Sequence, residues 1–152
     1  MKVQVQLDSD YQIPEAFIKT SEITEKIVRV QKMILSENFE EPFFISAWDG
    51  DFLIKLKAQN IYRFFSSDKK VYVQTENEVF LVKMRLYEIE ELLQKPVFAR
   101  FARISNTDII NFEYVKNFDM SLAGTICVNL KNKTSTFVSR RYVSKIKNWL
   151  GV

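Results

Sequence analysis

The chain has no histidine, one cysteine (Cys127), three glycines and three prolines among its 152 residues. Without histidine it lacks the usual general base near neutral pH and the commonest metal ligand. A single cysteine permits no intramolecular disulfide, which fits a reducing compartment. So little glycine and proline excludes low-complexity sequence. There is no glycine-rich phosphate loop, no cluster with metal-ligand spacing, and no nucleophile paired with a histidine base. These absences argue against an enzyme and give no reason to expect a metal or cofactor. The amino terminus, MKVQVQLDSD, does not look like a signal peptide, and no apolar run approaches bilayer length, so a soluble, cytoplasmic protein is expected.

What the chain does have is apolar and aromatic mass. Hydrophobic residues make up 47%, and 13 phenylalanines help bring the aromatic share to 14%, enough to build the core of one domain with a small extension. The net charge of +3 hides an asymmetry. Residues 1–51 carry five Lys/Arg against ten Asp/Glu, a net of −5, whereas residues 52–152 carry seventeen against nine, a net of +8. A basic back half behind an acidic front suggests that the back half meets a polyanion.

Residues 2–7 alternate polar and apolar as a half-buried strand does, and residues 16–19 could add a second short strand. Thr20 or Ser21 can cap an amphipathic helix over residues 21–36, with Ile23, Ile27, Val30 and Ile34 on its apolar stripe. Residues 36–42, acidic and ending in proline, suit a linker. Beyond them the pattern becomes one of strands. Residues 43–48 and 52–56 flank Asp49-Gly50, a dipeptide favouring a hairpin with both central residues at positive φ. Residues 61–65 and 71–75 flank the polar loop 66–70, and Glu76-Asn77 turns the chain into residues 79–82. A short helix is expected over residues 85–94, with Leu86, Ile89, Leu92 and Leu93 on one face and Glu88, Glu90 and Glu91 solvated. Further strands at residues 125–130 and 135–138 flank a turn at Asn132-Lys133. A final helix then runs from an N-cap at Ser139 to a C-cap glycine at Gly151. Turns every 8–12 residues predict a mainly β body with a few helices. Cys127, on the more polar side of its strand, reads as an inert small residue.

The centre of this pattern is FARFARISNTDIINFEYVKNF, residues 98–118. Two strand-like arms, residues 98–104 and 109–118, flank a polar knuckle, Ser105-Asn106-Thr107-Asp108, and Arg100 and Arg103 bring positive charge close to it. Asn106 offers a donor and an acceptor on one short stem, suited to reading a base edge, although asparagine also supports turns for local reasons. Three polar spots thus punctuate the β body: Lys69-Lys70, Ser105-Asn106-Thr107, and Arg140-Arg141 at the start of the last helix. Lysine suits a phosphate, asparagine an adenine edge and arginine a guanine edge. An arginine pair in a first helical turn opposes the helix dipole, a small cost easier to understand if an anion sits there, for which an intramolecular carboxylate would serve as well.

The order of these features resembles the LytTR family of bacterial DNA-binding domains. The resemblance rests on NIYRFFSSDKKVYVQTENEVFLVKMRLYEIEELL, FARISNTDIINFEYVKNF and a closing FVSRRYVSKIKNWL, and covers about residues 43–152. It implies an α+β, mainly β fold of small stacked sheets, elongated, with short helices, preceded here by a strand–helix extension over residues 1–42. It also implies a transcription regulator whose loops enter successive major grooves of double-stranded DNA, on repeated half-sites and as a homodimer. The family's contact positions fall on the Lys69-Lys70 hairpin, on Asn106 and on Arg141, with Arg103, Ser105, Thr107 and Arg140 beside them. Relatives often carry histidine where Lys70 and Ser105 stand. Residues 1–42 are too few for a receiver domain, so the chain resembles stand-alone members, for which a regulatory membrane-protein partner is expected. The extension itself suits dimerisation or signal input. The competing class is a protein-interaction or ligand-sensing β module with an incidental basic face. The two are told apart by whether Lys69, Lys70, Asn106 and Arg141 share one face.

Overall fold

In a computed structural model, the described residues are 15–36, 43–94 and 99–152. The chain divides into two compact units, Met1–Glu41 and Pro42–Val152. Within the first, helix α1 covers Glu25–Ser36, four residues short of the expected start. The reason is a competition between caps. Thr20 closes a local turn, its hydroxyl donating to the Glu22 carbonyl at 2.8 Å, while Thr24 Oγ1 accepts the Ile27 N–H at 3.4 Å and starts the helix. Ile23 therefore precedes the helix and is exposed. Residues 16–19 form no strand. The expected strand at 2–7 lies outside the described residues, as does the expected linker at 36–42 apart from Ser36, which ends α1.

Among the described residues the second unit contains ten strands in two antiparallel sheets. Strands β1 (Phe44–Asp49) and β2 (Phe52–Lys57) form the first hairpin. Its central residues are Gly50 and Asp51, one position later than the dipeptide suggests, because Asp49 pairs with Phe52. Gly50 alone takes a positive φ, of 57°, where glycine meets no steric cost. Strands β3 (Arg63–Ser67), β4 (Lys70–Gln74) and β5 (Val79–Val82) follow, then helix α2 (Leu86–Leu92), β6 (Phe101–Arg103) and β7 (Asp108–Asn111). The seven strands are ordered β2-β1-β5-β4-β3-β7-β6. Helix α2 is opened by the Glu88 carboxylate, which accepts the Arg85 N–H at 2.7 Å. Its buried Leu86 and Ile89, with Leu93 just beyond, cover one face of the sheet against Ile45, Ala47, Phe64, Val73, Phe80 and Val82.

The second sheet, ordered β10-β9-β8, consists of β8 (Val115–Asp119), β9 (Ile126–Leu130) and β10 (Ser135–Val138). Helix α3 (Arg140–Leu150) follows and ends at Gly151, left-handed at φ 76°, as a C-cap glycine should be. Ile146, Ile126, Val128, Leu130 and Val138 form a second core with Tyr62, Ile104 and Ile110. The two cores meet at β7. Ile109 belongs to the first and Ile110 to the second, because successive strand residues face opposite sides.

One long strand over residues 109–118 is not what forms. Asn111, 2% exposed, breaks it. Its Oδ1 accepts the Glu113 N–H at 3.1 Å and its Nδ2 donates to the Ile61 carbonyl at 2.9 Å, so a single turn of 3₁₀ helix, Phe112–Tyr114, carries the chain from one sheet into the other. Tyr62 and Tyr114 stack across this junction with ring centroids 3.9 Å apart. Replacing Asn111 by alanine strands a buried carbonyl and loosens the junction, so Asn111→Ala should lower stability by about 2–3 kcal/mol in urea titration. A loss below about 0.5 kcal/mol would mean that the junction does not depend on it.

Candidate nucleic-acid interface

The β3–β4 hairpin turns on two residues, not five, since Ser67 pairs with Lys70. Asp68 and Lys69 lie at φ 49° and 62°, the conformation a two-residue hairpin needs and one that side-chain-bearing residues adopt only at a cost. Lys69 and Lys70 are both exposed at the tip.

The knuckle is built around Asp108. Its Oδ1 receives Arg63 Nη1 at 2.8 Å, and its Oδ2 receives Thr107 Oγ1 at 2.7 Å and Ser105 Oγ at 3.3 Å. Arg63 is further held by Gln74, its Nε donating to Oε1 at 2.6 Å. Burial lowers the Arg63 pKa, and the Asp108 carboxylate beside it works against that loss. From the other side Arg103, only 17% exposed, donates to the Ser105 and Asn106 carbonyls, each at 3.0 Å, and to Glu90 at 2.6 Å. Ser105 is buried and its Oγ accepts the Thr107 N–H at 3.1 Å. The Asn106 side chain is exposed and makes no hydrogen bond to the described residues. The loop is thus fixed by its backbone and by its buried hydroxyl, with one amide left projecting.

At the head of α3, Arg140 and Arg141 are exposed. Arg141 leans on Tyr142, with Nη2 3.2 Å from the phenolic oxygen and the guanidinium 5.2 Å from the ring centroid. Ser139 is the N-cap residue, but its side chain makes no capping bond. That leaves first-turn N–H groups without a side-chain cap beside two arginines, a setting that favours an anion.

Two backbone hydrogen bonds join the elements that carry the three spots. The Ser66 N–H donates to the Thr107 carbonyl at 2.8 Å, joining hairpin to knuckle, and the Ser139 N–H donates to the Ile104 carbonyl at 2.9 Å, joining α3 to the knuckle's other end. Lys69, Lys70, Asn106, Arg140 and Arg141 therefore project from neighbouring elements. Arg100 and Arg103 do not add free charge as expected, since Glu113 and Glu90 pair with them. The glutamates of α2 are correspondingly more than a solvated face. Sequence reading missed Arg63 and the organising part of Asp108. The available signal was an arginine amid the apolar run of β3, which needs a partner when drawn into a sheet. Cys127, half-buried, has its thiol pKa raised by burial and then by Asp119, which suits an unreactive thiol.

A family model described as the LytTr DNA-binding domain matches residues 51–151. The chain belongs to the LytTR family. The solved LytTr DNA-binding domain from Bacillus cereus superposes with a TM-score of 0.66 at 26% identity, covering 72% of this chain and 97% of that one. An uncharacterized HTH-type transcriptional regulator of Staphylococcus aureus strain NCTC 8325 is 33% identical over 97 residues, 64% of this chain and 63% of its own length. Its counterpart in strain MRSA252 is 32% identical over the same span. The match thus takes in less than two thirds of those curated relatives. In this LytTR chain the described helices α1, α2 and α3 are separated by strands, so none of them forms a helix–turn–helix pair. No described helix is long and apolar enough to cross a membrane.

The Asp108 network gives a test of how the LytTR knuckle is held. Asp108→Asn leaves Arg63 buried without its counter-charge and should cost about 2–4 kcal/mol. Arg63→Met in the same chain should recover part of that loss, measured by urea denaturation. A single mutant that unfolds like wild type would show that the knuckle is held by something else.

Proposed function

We propose that this chain is a sequence-specific regulator of transcription that grips duplex DNA with the hairpin tip, the knuckle and the head of α3, each entering or flanking the major groove at successive turns. The observation that carries this reading is the pair of backbone bonds, Ser66 N–H to the Thr107 carbonyl and Ser139 N–H to the Ile104 carbonyl, which tie the hairpin and the head of α3 to the two ends of the knuckle. Family membership supports it, as does the excess of positive charge in residues 52–152. In this reading Lys69, Lys70 and Arg140 meet phosphates, while Asn106 and Arg141 reach base edges. Thr107 lies at the rim. Arg103 and Ser105 act by shaping the loop, because their polar groups are already engaged within the protein. The regulator works on DNA in the cytoplasm, as a pair of protomers on repeated half-sites, with residues 1–42 as its dimerisation or signal-input element.

Engagement of roughly 4–6 phosphates predicts that log K falls with log salt at a slope of about −4 to −5. An affinity that stays flat from low to physiological salt would sink the proposal. Arg141→Ala and Asn106→Ala should each cost about 1–3 kcal/mol on the preferred site and relax preference at one position. Lys69→Ala should weaken all sequences alike and make the slope shallower by about one unit. Lys69→Gly should lose the same contact while gaining about 0.5–1 kcal/mol of stability, since glycine accepts the left-handed turn freely. Melting and binding measured on one preparation would separate the two effects.

Deleting residues 1–42 should leave half-site binding intact but lower cooperativity on a double site. Changing Ile27 and Ile34 to Asp should do likewise. Sedimentation with and without double-site DNA decides this, and identical assembly of all variants would remove the extension from the dimer.

A further inference from the structure

The seven-stranded sheet has a second face that the DNA reading leaves unused. Strand register places Leu53, Trp48, Leu81, Tyr72 and Phe65 in one continuous row across β2, β1, β5, β4 and β3, on the side opposite the α2-covered core. Leu53 is exposed and the other four are half-buried. The next positions put Lys55 beside Ser46 and Lys70 beside Ser67, Lys83 just past β5 lies over the Trp48 ring, and Phe44 with Lys57 forms a further pair along β1 and β2. Over these five strands the face carries no carboxylate of its own. Among the described residues none of Lys55, Lys57, Lys70 and Lys83 has an ion-pair partner. Beyond β3 the same face is covered by the second core, where Ile110, the cross-strand partner of Arg63, packs with Ile126 and Val128, and at the margin Thr134 meets Gln74 and Asn132 meets the Thr75 carbonyl.

The chemistry of this face selects its occupant. Duplex DNA would satisfy the lysines but leave the apolar row in contact with sugar and phosphate. A single strand would need open ring faces for stacking. Here Lys83 Nζ sits 3.6 Å from the Trp48 centroid, Arg63 lies 4.3 Å from that of Phe65, and Phe65 stacks on Tyr72 at 5.4 Å. The same face of a second copy would set lysine against lysine. What remains is a segment with both carboxylates and aliphatic side chains. The apolar row spans four interstrand gaps, roughly 19 Å, which a helix of about 13 residues matches. The geometry points to this face as a docking surface for an acidic amphipathic helix of a partner protein, its aliphatic stripe along Leu53–Trp48–Leu81–Tyr72 and its carboxylates against Lys55 and Lys83. The surface is separate from the groups assigned to DNA, apart from Lys70 at its border.

The test uses the full chain, isotope-labelled, and three synthetic helical peptides of about 14 residues. One carries leucines at i, i+3, i+4 and i+7 with glutamate elsewhere, one has lysine in place of glutamate, and one keeps glutamate but replaces leucine by serine. Only the first should shift the resonances of Leu53, Leu81 and Tyr72. Lys55→Glu with Lys83→Glu should weaken it roughly tenfold and make the lysine peptide the better ligand, which a merely misfolded variant could not do. Leu53→Asp should weaken the acidic leucine peptide as well. Equal binding of the acidic and basic peptides, or shifts confined to other parts of the chain, would overturn the proposal. A single-stranded oligonucleotide that displaced the acidic peptide would overturn it in favour of nucleic acid, and self-association lost in the charge variants would overturn it in favour of a second copy. Duplex binding titrated separately on the same variants should be unchanged, so this inference and the DNA reading can fail independently.

Discussion

The Arg63–Asp108 ion pair is the constraint on which the rest of the interface depends. It joins β3 to the first residue of β7, and both side chains are largely withdrawn from water, at 15% and 11% exposure. Such a pair contributes little net stability, because desolvation consumes most of its Coulomb attraction. Its value is directional. Asp108 has two oxygens: one is taken by Arg63, and the other gathers the Ser105 and Thr107 hydroxyls. The carboxylate therefore dictates how the chain turns between β6 and β7. Arg103 completes the mould from outside by holding the two carbonyls that the turn would otherwise leave facing solvent.

The same strand settles how the two sheets share the chain. Ile109 and Ile110 are consecutive, yet they belong to different cores. A register slip of one residue in β7 would exchange them and put each into the wrong environment. The arrangement couples the two cores through one short element, so the knuckle at its start cannot move independently of either.

How much of this was legible in the sequence depended on whether the deciding interaction was local. Helix α3 was readable from end to end, because Ser139, the Val143–Ile146–Leu150 spacing and Gly151 are all signals within one stretch. The β1–β2 hairpin was readable for the same reason, although pairing of Asp49 with Phe52 moved its turn by one residue. The tight turn at Asp68-Lys69 was hidden, since no glycine marks the two left-handed positions. The break at Asn111 was hard to see because Ile109, Ile110, Phe112 and Tyr114 around it are good strand formers, and only one of its two bonds, to the Glu113 N–H, is local, while the other reaches Ile61 fifty residues earlier. The three polar spots were found by residue type, but the engagement of Arg100 and Arg103 by Glu113 and Glu90 could not be, as those partners are set by packing alone. The cap was read at Thr20 or Ser21, but the Thr20 hydroxyl closes a local turn and Thr24 starts the helix.

The way Asn106 is held has an evolutionary consequence. The protein grips this residue by its carbonyl, through Arg103, and asks nothing of its side chain. Every other polar side chain of the knuckle is bonded inward, so mutation there carries a folding penalty. Position 106 does not, and drift can sample it without first finding a compensating change. A regulator built this way can acquire a new operator vocabulary by single substitutions at its most projecting point, while the scaffold that aims the residue stays under strict selection.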